Sequence, residues 1–119
     1  MYNIIFYEDE KGRCELSDYL SELREHSLGS KESRVLFNKI IAYVDLLKEK
    51  GTCIGEPYVK HLDGEIWELR PLSIRILFAY FNGRTVVLLH HFVKTTKKTP
   101  RREITKAKRE LKDYQRRHG

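Results

Sequence analysis

A chain of 119 residues with 40% hydrophobic and 34% charged side chains fits one domain with a core of its own. Its longest apolar run, residues 74–81, excludes a membrane span, which needs about 20 apolar residues. We therefore expect a single domain over residues 1–119 and no membrane association. Cys14 and Cys53 form no metal-binding or redox pattern and no leader is recognisable, so a cytoplasmic protein without metal or other cofactor is expected.

The net charge of +6 is unevenly distributed along the chain. Residues 94–117 hold eleven Lys and Arg against three acids, a charge of +8, whereas residues 1–93 hold twelve basic against fourteen acidic residues, a charge of −2. A basic pole of this kind favours a polyanionic partner such as nucleic acid. The alternative is a solvated helix surface without a partner.

The first half of the chain predicts a strand followed by two helices. Residues 2–7 are rich in β-branched and aromatic side chains, which is typical of a strand. Leu16, Tyr19, Leu20 and Leu23 then recur at helical spacing. A second helix is expected to be capped by Ser30 and to end at Gly51. The two helices should form a hairpin.

The second half predicts an antiparallel meander and a basic helix. Strand-like runs cover residues 65–70, 73–81 and 84–94, and Asn82-Gly83 is a strong signal for a two-residue hairpin turn. Lys60 and His61 are assigned to a loop. Thr99-Pro100 reads as the N-cap and first residue of a C-terminal helix. The predicted fold class is therefore α+β.

A two-residue turn fixes the register and hence the faces of the meander. It pairs Phe81 with Arg84 and Arg75 with His90, and an even loop at Pro71-Leu72 places Glu68 opposite Arg75. Trp67, Ile76 and Leu89 then face the core. Five polar residues should project together from the face turned away from the helices, exposed to solvent: Glu68, Arg70, Arg75, His90 and Lys94.

Such a cluster is suited to a phosphodiester. Guanidinium groups match phosphate oxygens in fork geometry, and RNA carries its own nucleophile in the 2′-hydroxyl. A protein without a metal then needs a base, a charge stabiliser and a proton donor. Arg75 is the expected charge stabiliser, and Glu68 is either the base or an ion-pair partner that orients Arg75. The alternative is an ordinary cross-strand ion pair without chemistry.

Five segments resemble the HigB-type branch of the RelE/ParE toxin superfamily. They are Ile66-Trp67-Glu68-Leu69-Arg70-Pro71, Ile74-Arg75-Ile76-Leu77-Phe78-Ala79-Tyr80, Val87-Leu88-Leu89-His90-His91-Phe92-Val93-Lys94, Lys97-Lys98-Thr99-Pro100 and Glu103-Ile104. The resemblance implies a microbial ribonuclease-like fold and cleavage of mRNA on the ribosome. It also implies a HigA-like helix-turn-helix antitoxin, through which any contact with operator DNA would be indirect.

In that comparison Arg70 and Arg75 match the arginines of the sheet, and Lys94 falls near the basic residue of the last strand. The expected catalytic set is therefore Arg70, Arg75, Lys94 and Glu68. The expected RNA-binding set surrounds it and consists of Lys60, His90, Lys97, Lys98, Arg101 and Arg102. The product expected from such a site is a 2′,3′-cyclic phosphate.

Two other functions remain open on the sequence. A ParE-like toxin would bind DNA gyrase without cutting nucleic acid. A non-catalytic module would bind RNA or the ribosome through the basic C-terminal region alone.

Overall fold

The computed structural model describes residues 1–119 and confirms the predicted α+β class. Five strands and three helices follow in the order β1 (Asn3–Phe6), α1 (Glu15–His26), α2 (Lys31–Lys50), β2 (Val59–Asp63), β3 (Ile66–Leu69), β4 (Ile74–Phe81), β5 (Thr85–Val93) and α3 (Arg101–His118). A short 3-10 turn, Gly51–Ile54, follows α2. None of the helices is both long and apolar enough to cross a membrane.

Helices α1 and α2 form the predicted hairpin, with the predicted ends. The Ser30 hydroxyl accepts a hydrogen bond from the Ser33 amide at 3.2 Å, which satisfies one of the unpaired amides at the start of α2. Gly51 ends the helix at φ 61°, and a Cβ there would lie 2.5 Å from the Tyr80 hydroxyl. Glycine is therefore required at this position both by conformation and by space.

The strands form one mixed sheet in the order β1-β5-β4-β3-β2. Strands β2 to β5 make an antiparallel meander, and β1 joins its edge parallel to β5. The assignment of Lys60 and His61 to a loop is wrong, because both lie in β2. Asp63-Gly64, an Asp-Gly pair between two strand-like runs, is the turn signal that would have revealed this hairpin.

The sheet is covered on both faces. Helices α1 and α2 pack on one face through a core that includes Leu16, Ile40, Leu47, Ile76 and Phe78. Helix α3 packs on the other face, where Ala107, Leu111 and Tyr114 meet a second core built on β3, β4 and β5. The expectation that this second face is open to solvent is therefore wrong, because the apolar stripe of α3 uses it for docking.

The register of the β4–β5 hairpin also differs from the prediction. Asn82 and Gly83 have the expected positive φ, but Arg84 joins the loop, so that Phe81 pairs with Thr85. With three loop residues instead of two, β5 turns its other set of side chains toward the helical hairpin, namely Val86 and Leu88. The prediction that Leu89 faces the same core as Ile76 is therefore wrong, because Leu89 lies in the core under α3. Leu89 is an unpaired bulge residue, because Phe78 pairs with Leu88 and Leu77 with His90. From His90 onward the side chains of β5 therefore point to the faces that were predicted.

Candidate functional site

Glu68 lies at the centre of the polar cluster and is almost completely buried, with 1% of its surface exposed. It pairs with Leu77 of β4 rather than directly with Arg75, and its side chain points to the face covered by α3. A buried carboxylate must be compensated by polar partners. Its Oε1 atom lies 3.5 Å from Arg70 Nε and 3.9 Å from Arg75 Nε, and its Oε2 atom accepts a 2.5 Å hydrogen bond from Thr99 Oγ1.

Arg75 is held by backbone carbonyl groups as well as by Glu68. Its Nη1 atom donates to the carbonyl oxygens of Leu72, at 2.8 Å, and Ile74, at 2.9 Å. Leu72 has φ 51°, a left-handed conformation that turns the β3–β4 loop back toward the arginine. Burial, followed by the nearby Arg70 charge, lowers the pKa of Arg75. The prediction that Arg75 faces solvent is wrong, because only 7% of it is exposed.

Arg70 is the more accessible of the two arginines. It follows the end of β3, its side chain is 22% exposed, and its Nη1 atom lies 3.8 Å from Glu56 on the surface. Its Nε atom is buried and makes no hydrogen bond. The outer nitrogens of Arg70 can therefore donate hydrogen bonds to a ligand at the surface, while its Nε atom lies next to Glu68.

His90 connects the sheet to α3. Its Nδ1 atom lies 2.6 Å from Glu110 and its Nε2 atom 3.0 Å from Glu103, and only 1% of the residue is exposed. The prediction that His90 projects into solvent toward RNA is wrong, because both ring nitrogens are used by carboxylates of α3. These partners could not have been found from residue spacing, because it does not define how α3 lies across the sheet.

Thr99 has a different role from the one predicted. Helix α3 begins at Arg101, and its N-cap position is Pro100, which makes no side-chain capping bond. The Thr99 hydroxyl bonds Glu68 instead, and it thereby fastens the segment between β5 and α3 to the cluster. This contact joins residues 31 positions apart, so no local sequence pattern predicts it.

The remaining predicted RNA-binding residues lie on the surface around the cluster. Lys94, Lys97 and Lys98 are exposed in the segment after β5, and Lys60 is exposed in β2 opposite Glu68. None of these four lysines takes part in an ion pair. Arg101 and Arg102 are exposed too, but Arg101 lies 2.7 Å from Asp63 and Arg102 lies 3.8 Å from Glu103.

A groove of about 820 Å³, the α3 groove, opens beside Thr99 at the beginning of α3. Its lining combines basic and small polar side chains: Leu62, Asp63, Thr96, Lys98, Thr99, Pro100, Arg101, Arg102 and Ile104. A second cavity, of about 410 Å³, lies by Tyr7 and Leu89 but is lined by four acids. The α3 groove has the charge that suits a polyanion, and the acidic cavity does not.

The two-sided sheet, with a helical hairpin on one face and a basic helix on the other, is a toxin-like fold. The family profile described as "Phage derived protein Gp49-like (DUF891)" matches residues 18–112. The chain therefore belongs to the Gp49-like family, which is a toxin-like family. Membership implies an antitoxin partner in general. No curated protein matches the chain.

Proposed function

We propose that this chain is a cytoplasmic endoribonuclease toxin of the HigB type that cleaves mRNA on the ribosome and is neutralised by a HigA-like antitoxin. The observation that carries the proposal is the arginine pair on one buried carboxylate, beside a segment of unpaired lysines and a basic groove. The resemblance of residues 66–100 to that branch supports the same assignment.

In the proposed reaction the 2′-oxygen attacks the adjacent phosphorus, and the bond from phosphorus to the 5′-oxygen breaks. The 2′-hydroxyl proton is lost to a base and the leaving 5′-oxygen gains a proton, which gives a 2′,3′-cyclic phosphate and a 5′-hydroxyl end. Negative charge accumulates on the non-bridging oxygens during the attack. A fixed guanidinium next to those oxygens lowers the barrier, and loss of one such donor typically costs about 10² to 10³ in rate.

Arg70 is proposed as the group that touches the phosphate, since its side chain is accessible. Arg75, which is buried next to Arg70, adds positive charge to the site, and its hydrogen bonds to two carbonyl oxygens keep its side chain in place. Lys94 and the neighbouring Lys97 and Lys98 hold the RNA backbone as point charges. Of the two roles expected for Glu68, orienting the arginines fits better than general base, because its oxygens are occupied and enclosed.

The test is cleavage of a defined message on purified ribosomes, with the product ends analysed for cyclic phosphate. Arg70→Ala should lower the rate about 10² to 10³-fold. Because it also removes a positive charge beside the buried Glu68, circular dichroism is used to check that the variant is folded under the assay conditions. Arg84→Ala is the matched control, since Arg84 is an exposed arginine of the β4–β5 loop without an ion pair. A ribosome-free RNA substrate in excess EDTA should still be cut.

Cleavage by Arg70→Ala at the rate of the Arg84→Ala control would overturn the proposed site. Loss of ribosome-free cleavage in EDTA, restored by Mg²⁺ or Zn²⁺, would overturn the metal-free mechanism.

A second candidate function, RNA or ribosome binding without cleavage, is favoured by one observation. Glu68 and Arg75 are buried and bonded to the protein itself, as in a structural ion-pair cluster. Tight ribosome binding without any cut message would identify this function.

A further inference from the structure

A second groove lies on the other side of the cluster from α3, between α2 and the β3–β4 loop. This α2 groove has a volume of about 390 Å³ and is lined by Lys31, Glu32, Val35, Leu36, Leu72 and Ser73. Val35 is 47% exposed and Leu72 is 50% exposed. Two large aliphatic side chains thus meet water at a concave surface, an arrangement typical of a site that another chain covers.

Leu72 is unfavourable here in two ways. A leucine at φ 51° is strained by about 1 kcal/mol, a cost that glycine would avoid. Its side chain is half exposed and belongs to neither core. The bond from Arg75 to its carbonyl accounts for the turn of the backbone but not for the leucine side chain. The side chain is therefore best explained by a contact outside the folded chain.

The charges around the α2 groove indicate the chemistry of that contact. Lys31 lines the groove, and Lys94 stands next to it, because its amide donates to the carbonyl of Ser73 at 2.8 Å. Neither lysine is in an ion pair, and Glu32 is the one acid of the lining. An aliphatic surface flanked by unpaired lysines is complementary to a segment with apolar and acidic side chains.

We propose that the α2 groove binds an acidic, apolar segment of the antitoxin. The inference rests on the toxin–antitoxin part of the proposed function and not on ribonuclease activity. Apolar side chains of the segment would contact Val35 and Leu72, and its carboxylates would pair with Lys31 and Lys94. Because Leu72 adjoins Arg75, a segment bound there lies beside the arginine pair and obstructs the approach of RNA.

The test uses the full chain and the neighbouring open reading frame whose co-expression restores growth. Binding is measured by calorimetry without RNA. Val35→Asp and Leu72→Asp should each raise the Kd at least tenfold, and aspartate tolerates the left-handed conformation at position 72 better than most residues. Ile41→Asp is the matched control: Ile41 is 39% exposed on the same helix but outside the groove, and its Kd should stay within twofold of wild type.

Charge reversal separates the possible occupants. Lys31→Glu should weaken binding, whereas Lys48→Glu, on the last turn of α2, should not; tighter binding to Lys31→Glu would overturn the acidic character of the segment. Unchanged affinity of both Val35→Asp and Leu72→Asp would overturn the docking site. Intact antitoxin binding with impaired RNA binding by Val35→Asp would assign the groove to RNA instead. Absence of RNA cleavage leaves the binding result unaffected, so the two proposals fail separately.

Discussion

At the scale of single residues, the enclosure of Glu68 determines how the arginines are held. The carboxylate lies at ion-pair distance from Arg70 and Arg75 and accepts a hydrogen bond from the neutral Thr99 hydroxyl. Two of these neighbours carry positive charge and the third donates a hydrogen bond, so that removing one of them leaves the buried carboxyl group less compensated. The arginines are consequently positioned by a group that RNA does not need to reach.

Replacing Thr99 tests this arrangement. Thr99→Val removes the hydroxyl that donates to Glu68 but keeps the shape of the side chain, so the free energy of unfolding should fall by about 1 to 3 kcal/mol. Thr105→Val, at an exposed position of α3, is the control and should be close to neutral. Urea denaturation followed by circular dichroism measures both. Equal stability of the two variants would contradict an energetic role for the Thr99 contact.

Tyr7 gives the fold a distinct alkaline transition. Burial, followed by its hydrogen bond to Asp113, raises the pKa of Tyr7 to about 12. Because this folded-state pKa lies above the usual 10, the contribution to stability is complete below pH 10 and is lost as the pH rises through 12. Between pH 10 and 12 the wild type should therefore lose more stability than Tyr7→Phe. Denaturation at each pH measures this, and parallel curves would refute it.

At the scale of elements, the docking of α3 is decisive, because this helix covers the sheet face that carries the site. Its apolar residues supply the second core, and His90 anchors it through Glu103 and Glu110. The two carboxylate side chains are only 17% and 13% exposed, so the imidazole compensates their burial.

His90→Leu should therefore destabilise the fold by about 1 to 3 kcal/mol, since it leaves two partly buried carboxylates without a donor. Adding Glu103→Gln and Glu110→Gln should recover part of the loss, because neutral amides cost less to bury than charges. His118→Leu is an exposed control at the end of α3. The measurement is thermal unfolding of the wild type and the three variants. A lack of recovery in the triple variant would show that packing, not charge, accounts for the effect.

Apart from β2, which was assigned to a loop, element order and type could be predicted from the sequence, but the pairing between distant elements could not. The helical hairpin follows from local signals such as Ser30 and Gly51, and the structure confirms both. Which side chains of β5 face which core depended on one residue, because Arg84 belongs to the turn rather than to the strand. The bulge at Leu89 then returns His90 to its predicted face of the sheet. Arg70, Arg75 and Glu68 were therefore correctly placed on one face, although not in direct register.

Burial of that face was missed although a signal for it exists. Residues 76–79 and 86–89 are apolar without alternation, and such runs are typical of strands that are covered on both faces. In the structure residues 74–79 and 85–90 are all buried. The narrow stripe of α3, with Ile104, Ala107, Leu111 and Tyr114, was recognisable as the second cover. The partners Thr99, Glu103 and Glu110 depend on how α3 lies across the sheet, which residue spacing alone does not fix.

At the scale of the whole molecule, the basic residues of the last quarter divide into two groups with different uses. Helix α3 is tied to the more acidic remainder by cross-element ion pairs: Arg101 and Lys108 with Asp63, Lys106 with Glu15, and Arg116 with Glu10. Lys94, Lys97 and Lys98 have no such partners, and neither do Arg109 and Lys112 of α3. Three of these five unpaired cations lie close together at the segment between β5 and α3, beside the arginine pair.

This distribution predicts that Lys97 and Lys98 contribute more to RNA binding than two lysines elsewhere on the surface. Each lysine that contacts a phosphate of single-stranded RNA adds about 0.7 to the slope of log affinity against log salt, because it displaces a condensed counterion. Lys97→Gln with Lys98→Gln should therefore flatten the slope by about 1.4. Filter binding or fluorescence anisotropy at several salt concentrations measures it.

The matched control is Lys48→Gln with Lys50→Gln, which removes the same net charge from exposed lysines at the end of α2. If the two double variants change the slope equally, RNA responds only to the overall charge of the protein and the segment after β5 has no special part. A flattened slope in the Lys97 and Lys98 variant alone places the RNA backbone along that segment. Both pairs lie on the surface, so unfolding curves should remain those of the wild type.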